Sequence, residues 1–160
     1  MKINRVELTN IKPFAERTFD FAEGINVLSG PNGSGKSTVF EAIGYALFGV
    51  DARDFIGSAE RFVRKGFKTG VVRVSFTAVD GLDYVIERAA GATSKWVLAQ
   101  STPDGPRSIE TKNAAETEAV LTGLLGLSDS RSLGSQFTTI IGPPQARFDG
   151  RAQAEEWAGW

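Results

Sequence analysis

Residues 30–38 read Gly-Pro-Asn-Gly-Ser-Gly-Lys-Ser-Thr, and this string constrains the fold more than any other part of the chain. Gly30, Gly35, Lys36 and Ser37 fit the pattern G-x-x-x-x-G-K-[ST], a phosphate-binding loop. Glycines let the backbone turn tightly, so that successive N–H groups point inward at a phosphate chain. A helix starting near Lys36 adds the positive end of its dipole. In such a loop the lysine reaches the β- and γ-phosphates, and the Ser37 hydroxyl is placed to ligate Mg²⁺.

The flanks fit this reading. Gly24-Ile-Asn-Val-Leu-Ser29 is a short apolar run, as in a buried parallel strand. Behind the loop, Val39, Ala42, Ile43, Ala46 and Leu47 recur at i, i+3, i+4, i+7 and i+8, one apolar helix face. Gly49 is a plausible stop. The expected order is therefore strand, glycine loop, helix. The alternative is a glycine-rich turn that carries Lys-Ser by coincidence, and the flanking strand and helix argue against it.

The chain of 160 residues is long enough for one domain with a core. It holds no cysteine and no histidine, which excludes disulfides, thiolate metal sites, histidine-based triads and histidine-ligated metals. Nothing approaches the roughly 18 apolar residues of a membrane span. The N-terminus lacks the apolar segment of a signal peptide, so the default expectation is cytoplasmic. With a formal net charge of −1, nucleic-acid contact requires a local basic patch.

Val6 and Leu8 alternate with polar residues as an opening strand, Asn10 to Phe14 turns, and Arg17 to Phe21 returns as a second strand. A short helix is expected around Ala59 to Val63. Val72, Val74, Phe76 and Ala78 alternate with Arg73, Ser75 and Thr77, the period of a half-buried strand. Asp80-Gly81 is a hairpin turn signal. Leu82 to Arg88 and Lys95 to Gln100 read as further strands of an antiparallel meander, distinct from a parallel core. Pro103 to Pro106 reads as a turn. Lys112 to Leu125 reads as a helix stopped by Gly126, Ser128 to Ser135 as a polar connector, and Phe137 to Ile141 as a β-prone run.

The residues quoted so far resemble a known family. KINRVELTNIKPF and FDFAEGINVLSGPNGSGKSTVFEAIGYALFG are similar to the N-terminus of SbcC-type and SMC-like ATPases. These are DNA-repair and chromosome-maintenance members of the ATP-binding-cassette group of P-loop NTPases. RFVRKGFKTGVVRVSF resembles the family's basic turn and next strand, and QFTTIIGPPQARF the segment carrying its glutamine loop. The resemblance implies an α/β fold: one lobe of a cassette-type head, with a parallel core sheet and an antiparallel meander. Residues 1–148 would form the N-terminal half of the head, and 149–160 the start of a segment leading to a coiled coil.

The resemblance also implies ATP and Mg²⁺ as ligands. Asn32, Gly33, Ser34, Gly35, Lys36, Ser37 and Thr38 match the phosphate loop. Lys12 matches a basic residue near the phosphates, and Val63, Arg64 and Lys65 a turn that edges the nucleotide. Gln145 matches the glutamine that completes Mg²⁺ coordination with Ser37, although Ala146 follows it where the family has glycine. Lys36 is the catalytic candidate, through phosphate charge stabilisation; no general base is identifiable. The implied partners are the C-terminal half of the same head, a second head as homodimer, DNA and a nuclease subunit, in a nucleoid-associated setting.

The chain carries no cassette signature: Ser132 to Gln136 is superficially like one, but no apolar run ending in Asp-Glu follows. Asp80 after Val79 is better explained as a turn than as a Walker B carboxylate. The chain alone is therefore expected to bind ATP without hydrolysing it. Trp157 and Trp160 near the end fit a normally covered surface or a truncated chain. Arg53, Arg61, Arg64, Lys65, Lys68 and Arg73, with Asp54 and Glu60 among them, form either a solvated face or a DNA contact. Two other readings fit the loop, a small P-loop kinase and a non-catalytic nucleotide-binding module. A kinase usually places the loop after its first strand, and here 29 residues precede it.

Overall fold

The computed structural model describes residues 1–51, 59–127 and 130–140. Its framework is a six-stranded sheet in the order β2-β1-β3-β4-β5-β6, every neighbouring pair antiparallel. The strands are β1 (Lys2–Ile11), β2 (Phe14–Asp20), β3 (Thr69–Thr77), β4 (Asp83–Gly91), β5 (Trp96–Thr102) and β6 (Gly105–Ile109). The helices are α1 (Lys36–Leu47), α2 (Ala59–Phe62), α3 (Ala114–Leu125) and α4 (Leu133–Ile140). None of them is long and apolar enough to cross a membrane.

Period-two alternation sends Val72, Val74 and Phe76 of β3 to one face, with Val6 and Leu8 of β1, Ile86 of β4 and Leu98 of β5. α1 lays its apolar stripe, Val39, Ala42, Ile43, Ala46 and Leu47, on that face. Each fully buried side chain of this kind contributes about 1.5–3 kcal/mol.

α1 is also held at its C-terminal end by side chains from the sheet. Arg88 donates to the carbonyls of Tyr45 at 2.7 Å and Val50 at 3.2 Å, and the Trp96 indole N–H donates to Ala46 O at 2.8 Å. These carbonyls would otherwise lack partners at a helix end. The Tyr45 hydroxyl donates to Ala89 O at 2.6 Å.

α3 carries the sequence signals of a helix with closed ends. Asn113 accepts from Glu116 N at 2.9 Å, and Gly126 stops the helix with φ +69°. Leu127 N then reaches Thr122 O at 3.1 Å. Glu118 accepts from Leu133 N at 2.9 Å and so ties α3 to α4.

Four expectations change. The meander is not a separate sheet: β3 pairs with β1, and hairpin and meander are continuous. Residues 24–29, expected as a buried parallel strand, form no strand pairing among the described residues, and Ile25 and Val27 are 94% and 82% exposed. Phe137 to Ile140 is helical, not extended, because Leu133 and Phe137, one turn apart, both enter the core, Phe137 against Phe48 at 5.0 Å. Gly105 and Pro106, read as turn, open β6, an edge strand, which can hold proline. Arg53, Asp54, Ile141 and the whole of 149–160, with Trp157 and Trp160, lie outside the described residues.

Candidate nucleotide-binding site

Gly33 and Gly35 both adopt left-handed backbone conformations, with φ +80° and +94°. Gly35 is the N-cap of α1. No side chain caps that end, and its first turn holds no acidic residue. α3 shows the opposite choice, with Asn113 as cap and Glu116 in its first turn. Thr38 N turns back to Gly35 O at 3.1 Å, and the first N–H groups of a helix have no intrahelical partner. An open helix N-terminus led by left-handed glycines is a ready cradle for an anion.

Lys36 folds over the loop, its ammonium donating to the carbonyls of Gly30 and Pro31. Ser34 N also donates to Pro31 O, at 3.2 Å. Asn32, Gly33, Ser34 and Ser37 are exposed, and Thr38 is buried.

The β1–β2 turn braces this loop. A Cβ on Gly35 would lie 2.6 Å from the Phe14 ring and 3.0 Å from Pro13 Cγ, so only glycine fits beneath that turn. Asn10 and Lys12 have positive φ, +51° and +46°. Non-glycine residues rarely hold that conformation unless their surroundings impose it. Here Lys12 N donates to Phe62 O at 3.0 Å and Arg64 N to Asn10 O at 2.9 Å. The Arg64 guanidinium donates to Pro13 O, and the Lys12 ammonium pairs with Glu41 on α1.

The structure thus brings Lys12 and Arg64 to the turn that packs on Gly35. Val63 is different. Its side chain is in the core, 5% exposed, and its backbone bridges Ile11. Phe62 and Val63 are buried in succession, so the Val63 side chain faces the core while its backbone follows the turn. Lys65 is exposed beyond it. The basic cluster is divided: Arg64 faces the turn, whereas Arg73 is on β3, bonded to Glu87 at 2.6 Å. Gln145, with Ala146, lies outside the described residues.

Sequence reading missed Pro13, Phe14 and Glu41. Only Glu41 left a signal, its place one helical turn after Ser37. Among the described residues no cluster of three or more acidic side chains could hold a metal by itself. A cation here would rest on hydroxyl and phosphate oxygens, which suits Mg²⁺, and the exposed Ser37 at the open end of α1 fits that role.

The loop, the open helix end and the lysine together define a P-loop nucleotide-binding lobe. A family described as an AAA domain matches residues 5–155. A DNA double-strand break repair Rad50 ATPase of Methanopyrus kandleri is 34% identical over 127 residues, covering 78% of this chain and 14% of that protein. The protein of the same name from Sulfolobus acidocaldarius is 38% identical over 95 residues, covering 59% and 10%. A chromosome partition protein Smc of Rhodopirellula baltica is 45% identical over 56 residues, covering 34% and 5%. The recombination mediator RecF with ATP shares the fold, with a TM-score of 0.55 at 22% identity over 71% of this chain and 29% of that one. The chain belongs to the AAA-domain family and corresponds to the N-terminal part of an SMC/Rad50-like ATPase head. It spans 14% and 10% of the length of these two curated Rad50 relatives.

Proposed function

We propose that the chain binds Mg·ATP on residues 30–38, and that in the complete protein hydrolysis of this ATP drives the engagement of two heads in DNA double-strand break repair or chromosome maintenance. The observation that carries this reading is the uncapped N-terminus of α1 behind two left-handed glycines, with Lys36 held across the loop.

Backbone N–H groups of the loop and of the first turn of α1 would donate to the phosphate oxygens once Lys36 swings off the loop carbonyls. The Lys36 ammonium would exchange its carbonyl partners for the β- and γ-phosphates and balance the charge that grows there. Asn32 and Ser34 are exposed polar side chains at the rim. Ser37 Oγ, with Gln145 as a second protein oxygen, would hold Mg²⁺, which supplies charge neutralisation between the phosphates. Lys12 and Arg64, with Lys65 beyond them, would add positive potential from the braced turn. The carboxylate and signature residues for hydrolysis would come from the C-terminal half of the head and from a second head. Proposed partners of the assembled protein are DNA and a nuclease subunit, in the cytoplasm at the nucleoid.

Calorimetry of Mg·ATP binding tests the core of this. Lys36→Ala removes a charge-assisted contact of about 1.5–3 kcal/mol, roughly ten- to a hundredfold in affinity. Equal affinities for the two proteins would sink the assignment. The chain alone should show no turnover, and the C-terminal half of a full-length relative added in trans should restore some. Robust hydrolysis by the purified chain, lost in Lys36→Ala, would place the catalytic carboxylate within these residues after all.

A further inference from the structure

Arg17 occupies an unusual place for a surface arginine. In the β1–β2 register Arg17 is opposite Leu8 and Phe19 opposite Val6. Directly opposed residues project to the same face of a sheet. Leu8 and Val6 are core residues, 1% and 0% exposed, so Arg17 and Phe19 project to the face that α1 covers. Because β2 is the edge strand, that position stays open to solvent beyond the helix. Among the described residues Arg17 makes no ion pair, and its guanidinium lies 5.4 Å above the Phe19 ring.

The neighbour of Arg17 on this face is the phosphate loop. A cavity of about 230 Å³ has Arg17 and Phe19 in its strand-side wall and Gly30, Ser34 and Lys36 in its loop-side wall. Among the described residues no carboxylate lines it. Two cations facing one small cavity without a counter-charge make a site for an anion. The guanidinium suits a phosphoryl group, since its planar fork can donate two parallel hydrogen bonds. Contact with the Phe19 ring limits the conformations it must give up to do so.

We infer that Arg17 is a further phosphate-binding residue, which holds the nucleotide's polyphosphate from the β2 side of the loop while Lys36 holds it from the α1 side. This rests on the proposed ATP site and deepens it: recognition extends to the edge strand, through a residue outside the loop motif.

The test is titration of wild type, Arg17→Gln, Arg17→Lys and Lys36→Ala with ATP, inorganic tripolyphosphate and adenosine, circular dichroism reporting the fold. Arg17→Gln is expected to weaken ATP and tripolyphosphate about tenfold and to leave adenosine unchanged. Arg17→Lys should recover part of the loss, and added salt should narrow the gap between wild type and Arg17→Gln. If Arg17→Gln binds both polyphosphates like wild type while Lys36→Ala does not, the role of Arg17 is refuted and the loop assignment stands. An equal loss for adenosine would also refute it, since that marks a contact to the nucleoside. Were wild type and Lys36→Ala to bind ATP equally, the underlying site would fall, and this inference with it.

Discussion

Replacing Arg88 by methionine should cost this domain about 2–4 kcal/mol, and the figure can be built from the contacts. The guanidinium lies between two rings, 4.1 Å from the Tyr45 centroid and 4.7 Å from that of Trp96. It donates to Tyr45 O and Val50 O at the C-terminal end of α1. A hydrogen bond from a charged donor contributes about 1.5–3 kcal/mol, a desolvated cation–π contact about 1–2, and a cation at a helix C-terminus up to about 1. Against these stands the cost of taking the cation out of water, several kcal/mol. Burial accordingly pulls the Arg88 pKa down from its ordinary value, with Tyr45, Asp51 and Glu118 opposing it. A guanidinium remains charged at neutral pH regardless. Methionine keeps most of the stem but leaves two carbonyls without their donor, and that asymmetry decides the sign. Urea unfolding should show a lower midpoint at unchanged slope. ATP affinity, corrected for the folded fraction, should not move, because Arg88 acts at the end of α1 far from Lys36. A loss under about 0.5 kcal/mol would show that desolvation cancels the contacts and that the clamp adds no stability.

Other perturbations separate packing from chemistry. Gly35→Ala combines a φ of +94° with a Cβ 2.6 Å from the Phe14 ring; it should destabilise the fold by about 1–3 kcal/mol and abolish ATP binding, and Phe14→Ala in the same chain should recover part of the stability but not the strained backbone. Hydrogen bonding from Arg73 lowers the Glu87 pKa, aided by Lys95 and opposed by burial. A depressed folded pKa gives stability that is complete above the ordinary carboxylate range and lost as pH falls through the folded value, so Glu87→Gln should destabilise at neutral pH and flatten the acid limb of a pH–stability profile; parallel profiles would refute it. Gln145→Ala should weaken the Mg²⁺ dependence of ATP binding and spare metal-free binding, and an unchanged Mg²⁺ titration would remove Gln145 from the metal site.

Where the sequence was legible, a short-range rule dominated. The stripe from Val39 to Leu47 has one helical phase, and Val72 to Phe76 one strand phase, so both could be read without knowing their partners. The loop was legible because its glycines answer a backbone demand at their own positions. α4 was illegible for the converse reason. Phe137, Thr138, Thr139 and Ile140 favour strands locally, but Ser132 accepts from Ser135 N at 3.2 Å through its hydroxyl and from Gln136 N at 3.1 Å through its carbonyl, starting a helix that Phe137 anchors on Phe48. Within the site, Lys12 could be flagged as a cation near the phosphates but not its pairing with Glu41, which depends on how the β1–β2 turn approaches α1. The burial of the Val63 side chain was hidden by its basic neighbours, Arg64 and Lys65.

The run from Ile25 to Gly30 has strand composition and, among the described residues, no strand. Local bonds set its start: Asn26 accepts from Ala22 N at 2.9 Å and donates to Ala22 O at 3.0 Å, and Gly24 turns with φ +85°. Nothing local can finish it, because a parallel strand takes its neighbours from distant chain. The cost is visible in Ile25 and Val27, which stand 94% and 82% exposed. Each would gain about 1.5–3 kcal/mol if buried, so roughly 3–6 kcal/mol is left unrealised at the root of the phosphate loop. Under the proposed function, the C-terminal half of the head supplies the missing neighbours and this energy becomes binding energy. The double substitution Ile25→Ser, Val27→Ser should then leave the stability of the chain alone within about 0.5 kcal/mol, as for other exposed sites. It should weaken association with the C-terminal half of a relative by at least about tenfold, the minimum implied by half of that burial. Sedimentation or calorimetry of the mixed halves reads this directly. Wild-type affinity in the double variant would mean that residues 25–30 stay outside the sheet of the assembled head, and that the apolar run serves only to space the loop from β2.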